Sequence, residues 1–243
     1  MKPAIATHSL ESGAMLRAPE SNIRGVTSIL SFVYLLAAFA CLIQWGSSRP
    51  WVRVDLFSGG YLGLRVLGAV YSLISARLVF RSKQLRREWW GQTSNPAVVR
   101  WVILLMIGDL LVFLDYGHWH TSPVLERPGL KGLGLAVYFL AAVWQMWADF
   151  YLARYFSHRG TEGAPITDGP FRHIRHPRYA AAIAGKLAFA LVFASLLGWL
   201  LGLAWTILLV KKVRTEEAHL LKLFGARYKA YAEKTTRLLP GIY

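Results

Sequence analysis

Long apolar stretches separated by short charged connectors set the rhythm of this chain. A helix that crosses a bilayer needs about 20 mostly apolar residues, and residues 26–45 supply them without interruption. Residues 60–80 supply the length while carrying Arg65 and Arg77, and residues 97–115 are apolar apart from Arg100 at their start and Asp109. Residues 130–151 are apolar and aromatic and end beside Asp149. The run 179–210 is too long for one crossing and holds "LLGWLLG" near its middle. It predicts a helical hairpin turning near Gly198, with arms of roughly 16–19 residues, or about 24–28 Å. The pattern predicts an all-α integral membrane fold of about six crossings, the last two a hairpin, followed by a cytosolic C-terminal cap helix. Residues 1–243 read as a single membrane domain. The N-terminal spans fall in 26–153, and a more polar region with the hairpin and the C-terminal helix occupies 154–243.

Charge orients these spans. With the N-terminus inside, the inner connectors collect Arg81, Lys83, Arg86, Arg87 and Arg100, then Arg154, Arg159, Arg172, Arg175 and Arg178, and then the basic tail from Lys211 to Arg237. The outer connectors hold only Arg49, Arg53, Arg127 and Lys131. That asymmetry predicts a multi-pass protein with both termini cytoplasmic. Within the spans, Arg65 and Asp109 are expected to pair between the second and third helices, while Arg77, Arg100 and Asp149 lie where their side chains can snorkel.

Composition agrees with the pattern. Hydrophobic residues make up 55% of the chain and charged residues 17%, against about a quarter charged in a soluble domain. The net charge of +15 does not point to nucleic acid, whose partners gather basic residues on one folded face. Here the basic residues lie between apolar runs, which suits anionic lipid. Cys41 is the single cysteine, so neither an intramolecular disulfide nor a cysteine cluster for zinc is available. The first twenty residues lack the continuous apolar core of a signal peptide. His118 and His120 are a possible metal pair, but no third ligand accompanies them, and no metal site is expected.

Orientation needs arginines near a span, yet it does not need "GPFRHIRHPRY" at 169–179. Pro177 suits the first turn of a helix, where its missing N–H costs nothing. His176 then stands at the helix start, and Tyr179 lies in the first turn. Free N–H groups and the positive dipole end at such a start favour a carboxylate or phosphate. A hairpin over 179–210 returns "KKVRTEEAHLLKLFGARYKAYAEKTTRLLP" to the same side of the membrane. An anion-seeking helix start would then face Glu216 and Glu217. A ligand carrying both a carboxylate and cationic centres suits that arrangement, and S-adenosylmethionine has this character.

"TDGPFRHIRHPRY", a double span and "EEAHLLKLFGARYKAYAEKTTRLLP" together resemble the C-terminal half of the isoprenylcysteine carboxyl methyltransferase family, a pattern shared by phospholipid N-methyltransferases. The resemblance covers about residues 163–243. It implies an integral-membrane methyltransferase with S-adenosyl-L-methionine held between a cytosolic cap and the helix ends. Carried over by position, Ile166 and Thr167 would form an extended lead-in against the cofactor, with Gly169 making its turn. Phe171 stands where the family more often has tyrosine. His176, Pro177, Arg178 and Tyr179 match the family's His-Pro-x-Tyr cofactor contacts, and Glu216 matches its glutamate, with Glu217 beside it. Lys212 occupies the position where farnesylcysteine-specific members carry a substrate-binding arginine, and Ala181 replaces a frequent glycine. Both departures bear on the acceptor rather than on the methyltransferase class.

No catalytic base is assigned, because a carboxylate acceptor needs none; an amine acceptor would benefit from one. The expected acceptor is lipidic or prenylated and enters from the bilayer. The alternatives are a phospholipid N-methyltransferase, an NADPH-dependent membrane reductase of the sterol-reductase type, which would need a site for a 2′-phosphate, and a non-catalytic membrane scaffold.

Overall fold

The computed structural model describes residues 33–44, 51–79, 96–158 and 165–239. The first twenty residues, the start of the first span, Arg49, the inner connector with Arg81, Lys83, Arg86 and Arg87, and Arg159 lie outside the described residues. Helix α1 covers Val33–Leu42 and passes into a two-residue antiparallel hairpin of β1 (Ile43–Gln44) and β2 (Trp51–Val52). Helix α2 is Leu56–Val79 and α3 is Pro96–Leu114, which runs on into a π-helical turn over Asp115–Trp119. Helix α4 spans Pro128–His158, α5 Pro177–Val192, α6 Leu196–Phe224 and α7 Ala226–Lys234. Two of these helices are apolar and long enough to cross a bilayer, within Pro128–Leu152 and Leu196–Phe224.

Large apolar side chains cover the outside of the bundle as well as its inside. Leu67, Ile74, Leu104, Leu140, Leu200 and Ile207 are all exposed. A helix that is apolar all round belongs in lipid or deep within a protein, and among the described residues no protein packs against these outer faces. The inner core is aromatic. Phe113 of α3 meets Phe193 edge-on at 4.8 Å, and Tyr61 of α2 meets Phe189 and Phe193 at 5.1 and 5.2 Å. Tyr34, Ala38 and Leu42 of α1 complete the cluster. Offset and edge-on ring pairs of this kind add stability beyond the area they bury.

The tightest helix contact joins α4 to α5, and Gly134 permits it. A Cβ there would stand 2.7 Å from Leu191 Cβ and 2.9 Å from the Val192 backbone nitrogen. Without an apolar driving force between helices in lipid, close backbone approach of this kind supplies the dispersion contact that holds them together.

The hairpin forms, but it turns earlier than Gly198. Helix α5 ends at Val192, Ala194 adopts a left-handed φ of 46°, and Ser195 caps α6 by accepting a hydrogen bond from the Gly198 N–H at 3.0 Å. A local serine cap outweighs the glycine as a stop signal. Gly198 instead lies in the first turn of α6, where its missing side chain lets α6 approach Ala190. The arms are therefore unequal, 16 and 29 residues, and the second continues without a break from the apolar run into the charged region beyond Val210.

The expected Arg65–Asp109 pair does not form. Lys186 of α5 takes Asp109 in an ion pair, and Tyr34 donates to its other oxygen at 3.2 Å. Arg65 lies over the Tyr34 ring at 5.1 Å. Lys186 reaches α3 directly, which leaves Arg65 to the aromatic face.

A second polar network ties the helix ends around the hairpin turn. Asp115, 2% exposed, accepts from the Thr121 hydroxyl at 2.7 Å and from the Ser195 hydroxyl. Lys131 pairs with Asp55 and donates to the Tyr116 hydroxyl at 2.9 Å. Burial alone would raise the Asp55 pKa; the Lys131 ammonium and the Ser58 donors hold it at about 2. Arg53 pairs with Glu126 at 2.6 Å and also contacts His120, so that histidine is engaged in an ion-pair network. Among the described residues no three potential ligands converge on a metal position.

Candidate functional site

The opposite end of the bundle carries the motif. A 3₁₀ turn over Gly169–Arg172 leads into it from the extended residues Ile166 and Thr167, the first half-buried and the second exposed. Gly169 has φ +60°, and a Cβ there would fall 2.4 Å from the Tyr151 ring of α4. Only glycine satisfies both the left-handed conformation and that contact. Phe171 contributes its carbonyl, which accepts from the Tyr231 hydroxyl of α7 at 2.6 Å.

Pro177 opens α5 as its first residue, and His176 is the N-cap without any side-chain cap bond. The chain end forms one wall. Ile174 and Thr236 form a parallel bridge, Arg175 N–H donates to Thr236 O at 2.8 Å, and His176 N–H donates to Arg237 O at 3.0 Å. Residues 235–238 therefore lie alongside 174–176 as a short extended pair.

The two glutamates play different parts. Glu217 is held by two guanidiniums, Arg175 Nε at 2.7 Å and Arg237 Nε at 2.6 Å, one on each oxygen. Burial alone would push its pKa up; the two arginines outweigh that and hold it below the usual carboxylate range. Arg175 also donates to the carbonyls of Ala232 at 2.7 Å and of Thr235. Glu217 thus fixes the tail of the chain to the motif. Glu216, one residue earlier and turned about 100° around the helix, accepts from the Tyr179 hydroxyl at 2.7 Å. Lys212, one turn earlier, places its ammonium 5.6 Å from the Tyr179 ring centre. The His176 and Tyr179 ring centres lie 5.7 Å apart, with the planes tilted by 33°.

His176, Tyr179, Lys212 and Glu216 consequently share one small volume, although a helical hairpin separates Tyr179 from Lys212 in sequence. His176 is 6% exposed, and its Nε2 stands 3.5 Å from Glu217 Oε1 without a hydrogen-bond partner. Burial lowers the pKa of this imidazole, against the pull of Glu216 and Glu217, so it is neutral at pH 7. A neutral ring nitrogen, the start of a 16-residue helix and a carboxylate engaged by one phenol can receive a ligand bearing both signs of charge. Arg178 turns elsewhere: its Nε meets Asp149 of α4 at 2.6 Å and its side chain is half exposed.

Sequence reasoning missed Arg237 and Tyr231 as parts of this end. A pair of adjacent glutamates close to a motif calls for counter-charges, and Arg237 in the "RLLP" tail was the available one. An apolar groove of about 500 Å³, lined by Phe57, Gly60, Gly132, Leu135 and Phe139 among others, lies between the first turns of α2 and α4. It is about 26 Å along α4 from Asp149 and is not part of this site.

Parts of the chain are similar to known proteins. Residues 131–227 match the phospholipid methyltransferase family. The chain is 28% identical over 237 residues to the protein-S-isoprenylcysteine O-methyltransferase of Schizosaccharomyces pombe, covering 90% of this chain and 98% of that protein. It is 29% identical over 144 residues to the cobalt-zinc-cadmium resistance protein CzcN of Cupriavidus metallidurans, covering 59% of this chain and 62% of CzcN. The matched region runs from Lys131 in α4 through the hairpin and both motif segments to the start of α7, and in that region the chain is similar to the phospholipid methyltransferase family.

Proposed function

We propose that the protein is an S-adenosylmethionine-dependent methyltransferase of the membrane, acting on a lipid-borne carboxyl group of isoprenylcysteine type. The observation that carries this reading is the meeting of His176 and Tyr179 at the start of α5 with Glu216 and Lys212 of α6. The unpartnered His176 Nε2 supports the fit of a polar cofactor to the same place. Bound there, S-adenosylmethionine would supply an electrophilic methyl group on its sulfonium. The chain's own residues would bind, orient and shield. Glu216 would hold a cationic end, the N–H groups of the first turn of α5 would hold a carboxylate, and the surrounding helices would keep water away.

Lys212 favours a carboxyl acceptor over an amine. Its ammonium beside Tyr179 attracts a carboxylate and repels a protonated amine, and no proton needs to leave a carboxylate before it reacts. The similarity to the S. pombe enzyme along nearly its whole length supports the isoprenylcysteine acceptor. The second reading, a phospholipid amine, is supported by the family description matched over residues 131–227. In this reading the chain crosses the bilayer about six times with both ends in the cytoplasm, so that the acceptor enters sideways from lipid and the cofactor from water. The motif region 154–243 would then form the cofactor-binding part of a single membrane domain, with anionic lipid against its basic tail.

Calorimetry with S-adenosylhomocysteine and with NADPH on purified protein tests the class. Heat with the first ligand alone is expected, and heat with NADPH alone would replace the methyltransferase by a reductase. A methyl-label assay over prenylated cysteines and phospholipids then tests the acceptor. Label in a base-labile ester on the prenylcysteine is expected, whereas label only in a phospholipid amine would favour the second reading.

A further inference from the structure

Helices α2 and α4 start at the same end of the bundle, where Lys131 of α4 pairs with Asp55, the residue before α2. Below that pair the two helices meet across glycines. A Cβ on Gly60 would stand 2.9 Å from Leu135, and one on Gly132 would stand 3.3 Å from the Phe57 ring. The missing side chains leave an apolar crease of about 500 Å³, walled by Phe57, Gly60 and Leu64 on one side and by Gly132, Leu135 and Phe139 on the other. Each wall runs over two turns of helix, or about 10 Å.

Ala136 and Phe139, both exposed, mark the open side of the crease. The surface around it is apolar: Leu56, Leu133 and Leu140 are exposed as well. A helix, about 10–12 Å across with its side chains, would lie over such a crease, whereas a hydrocarbon chain lies in it. The length of about 10 Å is roughly two-thirds of one leaflet, since the whole hydrocarbon layer is about 30 Å thick. Arg127 stands at the head of the crease, next to Pro128, the first residue of α4, and it is exposed. The acidic residues nearest in sequence and space are taken: Glu126 pairs with Arg53, and Asp55 with Lys131. Among the described residues the Arg127 side chain has no ion pair of its own. An apolar slot headed by one unanswered cation is the complement of a lipid tail under an anionic headgroup.

We propose that this crease holds one acyl chain of an anionic phospholipid, with the headgroup phosphate against Arg127. The lipid is bound there and not methylated: Gly132 lies about 26 Å along α4 from Asp149, at the opposite end of the bundle from Tyr179, Lys212 and Glu216. The proposal rests on the membrane reading of the chain and is independent of methyl transfer. The lipid tail would fill the gap left by Gly60 and Gly132 and so join α2 to α4 below the Lys131–Asp55 pair.

Native mass spectrometry of the full-length protein in detergent, titrated with phosphatidylglycerol or with phosphatidylcholine, counts the lipids held per chain. One tightly held phosphatidylglycerol is expected, with phosphatidylcholine about fivefold weaker, the worth of one arginine near an anionic headgroup. Arg127→Gln should make the two lipids equal. Ala136→Phe puts a ring into the open side of the crease, and Leu64→Phe enlarges the opposite wall. Each plug should expel the held lipid, and two plugs keep the test open should one of them misfold. A wild-type protein that holds no lipid tightly, or plugged variants that hold it as the wild type does, would overturn the site. An Arg127→Gln protein that still prefers phosphatidylglycerol would overturn the headgroup contact and the proposal with it. A lipid-free dimer that Ala136→Phe splits into monomers would give the crease to a second copy of the chain instead. None of these results touches S-adenosylhomocysteine binding at the other end, so the crease can fail without the proposed methyltransferase failing with it.

Discussion

Lys186 and Asp109 meet inside the bundle with 11% and 18% of their side chains exposed, so deleting one member strands the other. Lys186→Met keeps most of the lysine stem and leaves Asp109, among the described residues, with the Tyr34 hydroxyl. Breaking a buried pair in this way costs about 3–5 kcal/mol, whereas replacing both members by apolar residues of similar volume is close to neutral or stabilising. For a chain of this size about 1 kcal/mol moves the melting temperature by roughly 2–4 °C. The single variant should therefore melt roughly 6–20 °C lower, and Lys186→Met combined with Asp109→Leu should recover most of the loss. Tryptophan fluorescence during heating in detergent reads all four corners of the cycle, and the difference gives the coupling. Additive losses, with the double variant lower than either single, would refute the pairing. The same result would point back to Arg65 as the partner of Asp109.

Three further outcomes follow from the geometry. Gly134→Val inserts a branched side chain where a Cβ already stands 2.7 Å from Leu191; it should cost about 1–3 kcal/mol or more, read as a lower melting temperature, and an unchanged value would mean that α4 and α5 do not touch there. Gly169→Ala drives a methyl into the Tyr151 ring and strains a positive φ; S-adenosylhomocysteine affinity should fall by about tenfold or more with a smaller effect on melting, since the lead-in moves while the bundle stays, and equal loss of both would contradict this. The folded pKa of Glu217 is depressed, so the stability it contributes is complete above about pH 4.3 and is lost as pH falls through its folded value. The folded pKa of His176 is likewise depressed, by burial; its contribution is complete above about pH 6.5 and declines below that. A melting-temperature profile from pH 3 to 8 should slope downward toward acid in both windows. Glu217→Gln should flatten the lower window, and His176→Gln the upper one; variants that keep both slopes would show that other groups set them.

The helices were legible because long apolar runs between charged connectors mark them. The apolar runs that predict spans at 60–80, 97–115 and 130–151 correspond to α2, α3 and α4, and Pro177 begins α5 as its missing N–H requires. The meeting of His176 with the glutamate pair followed from a hairpin returning the chain to its starting side. The details that were not legible depend on three-dimensional choice. Asp109 had Arg65 and Lys186 both available, and the rotation of α5 against α3 decided for Lys186. Gly198 looked like a turn because glycine breaks helices, yet the cap at Ser195 set the turn and the glycine served contact with Ala190. Arg237 is twenty residues from Glu217, and nothing in either segment alone announces that the tail folds back to hold it.

Helix α6 runs as one rod from Leu196 to Phe224. From Leu196 to Glu216 it measures about 30 Å, which is the thickness of a typical hydrocarbon layer. The Glu216 carboxylate is thus hung at a height fixed by a ruler with no hinge in it. In the proposed membrane reading, a thinner sheet of lipid would tilt the ruler or pucker around it, and either response would swing the Glu216 end of α6 relative to the headgroups. Acyl-chain length in the host membrane would then become a coordinate of the proposed chemistry, through nothing more than the stiffness of a single helix.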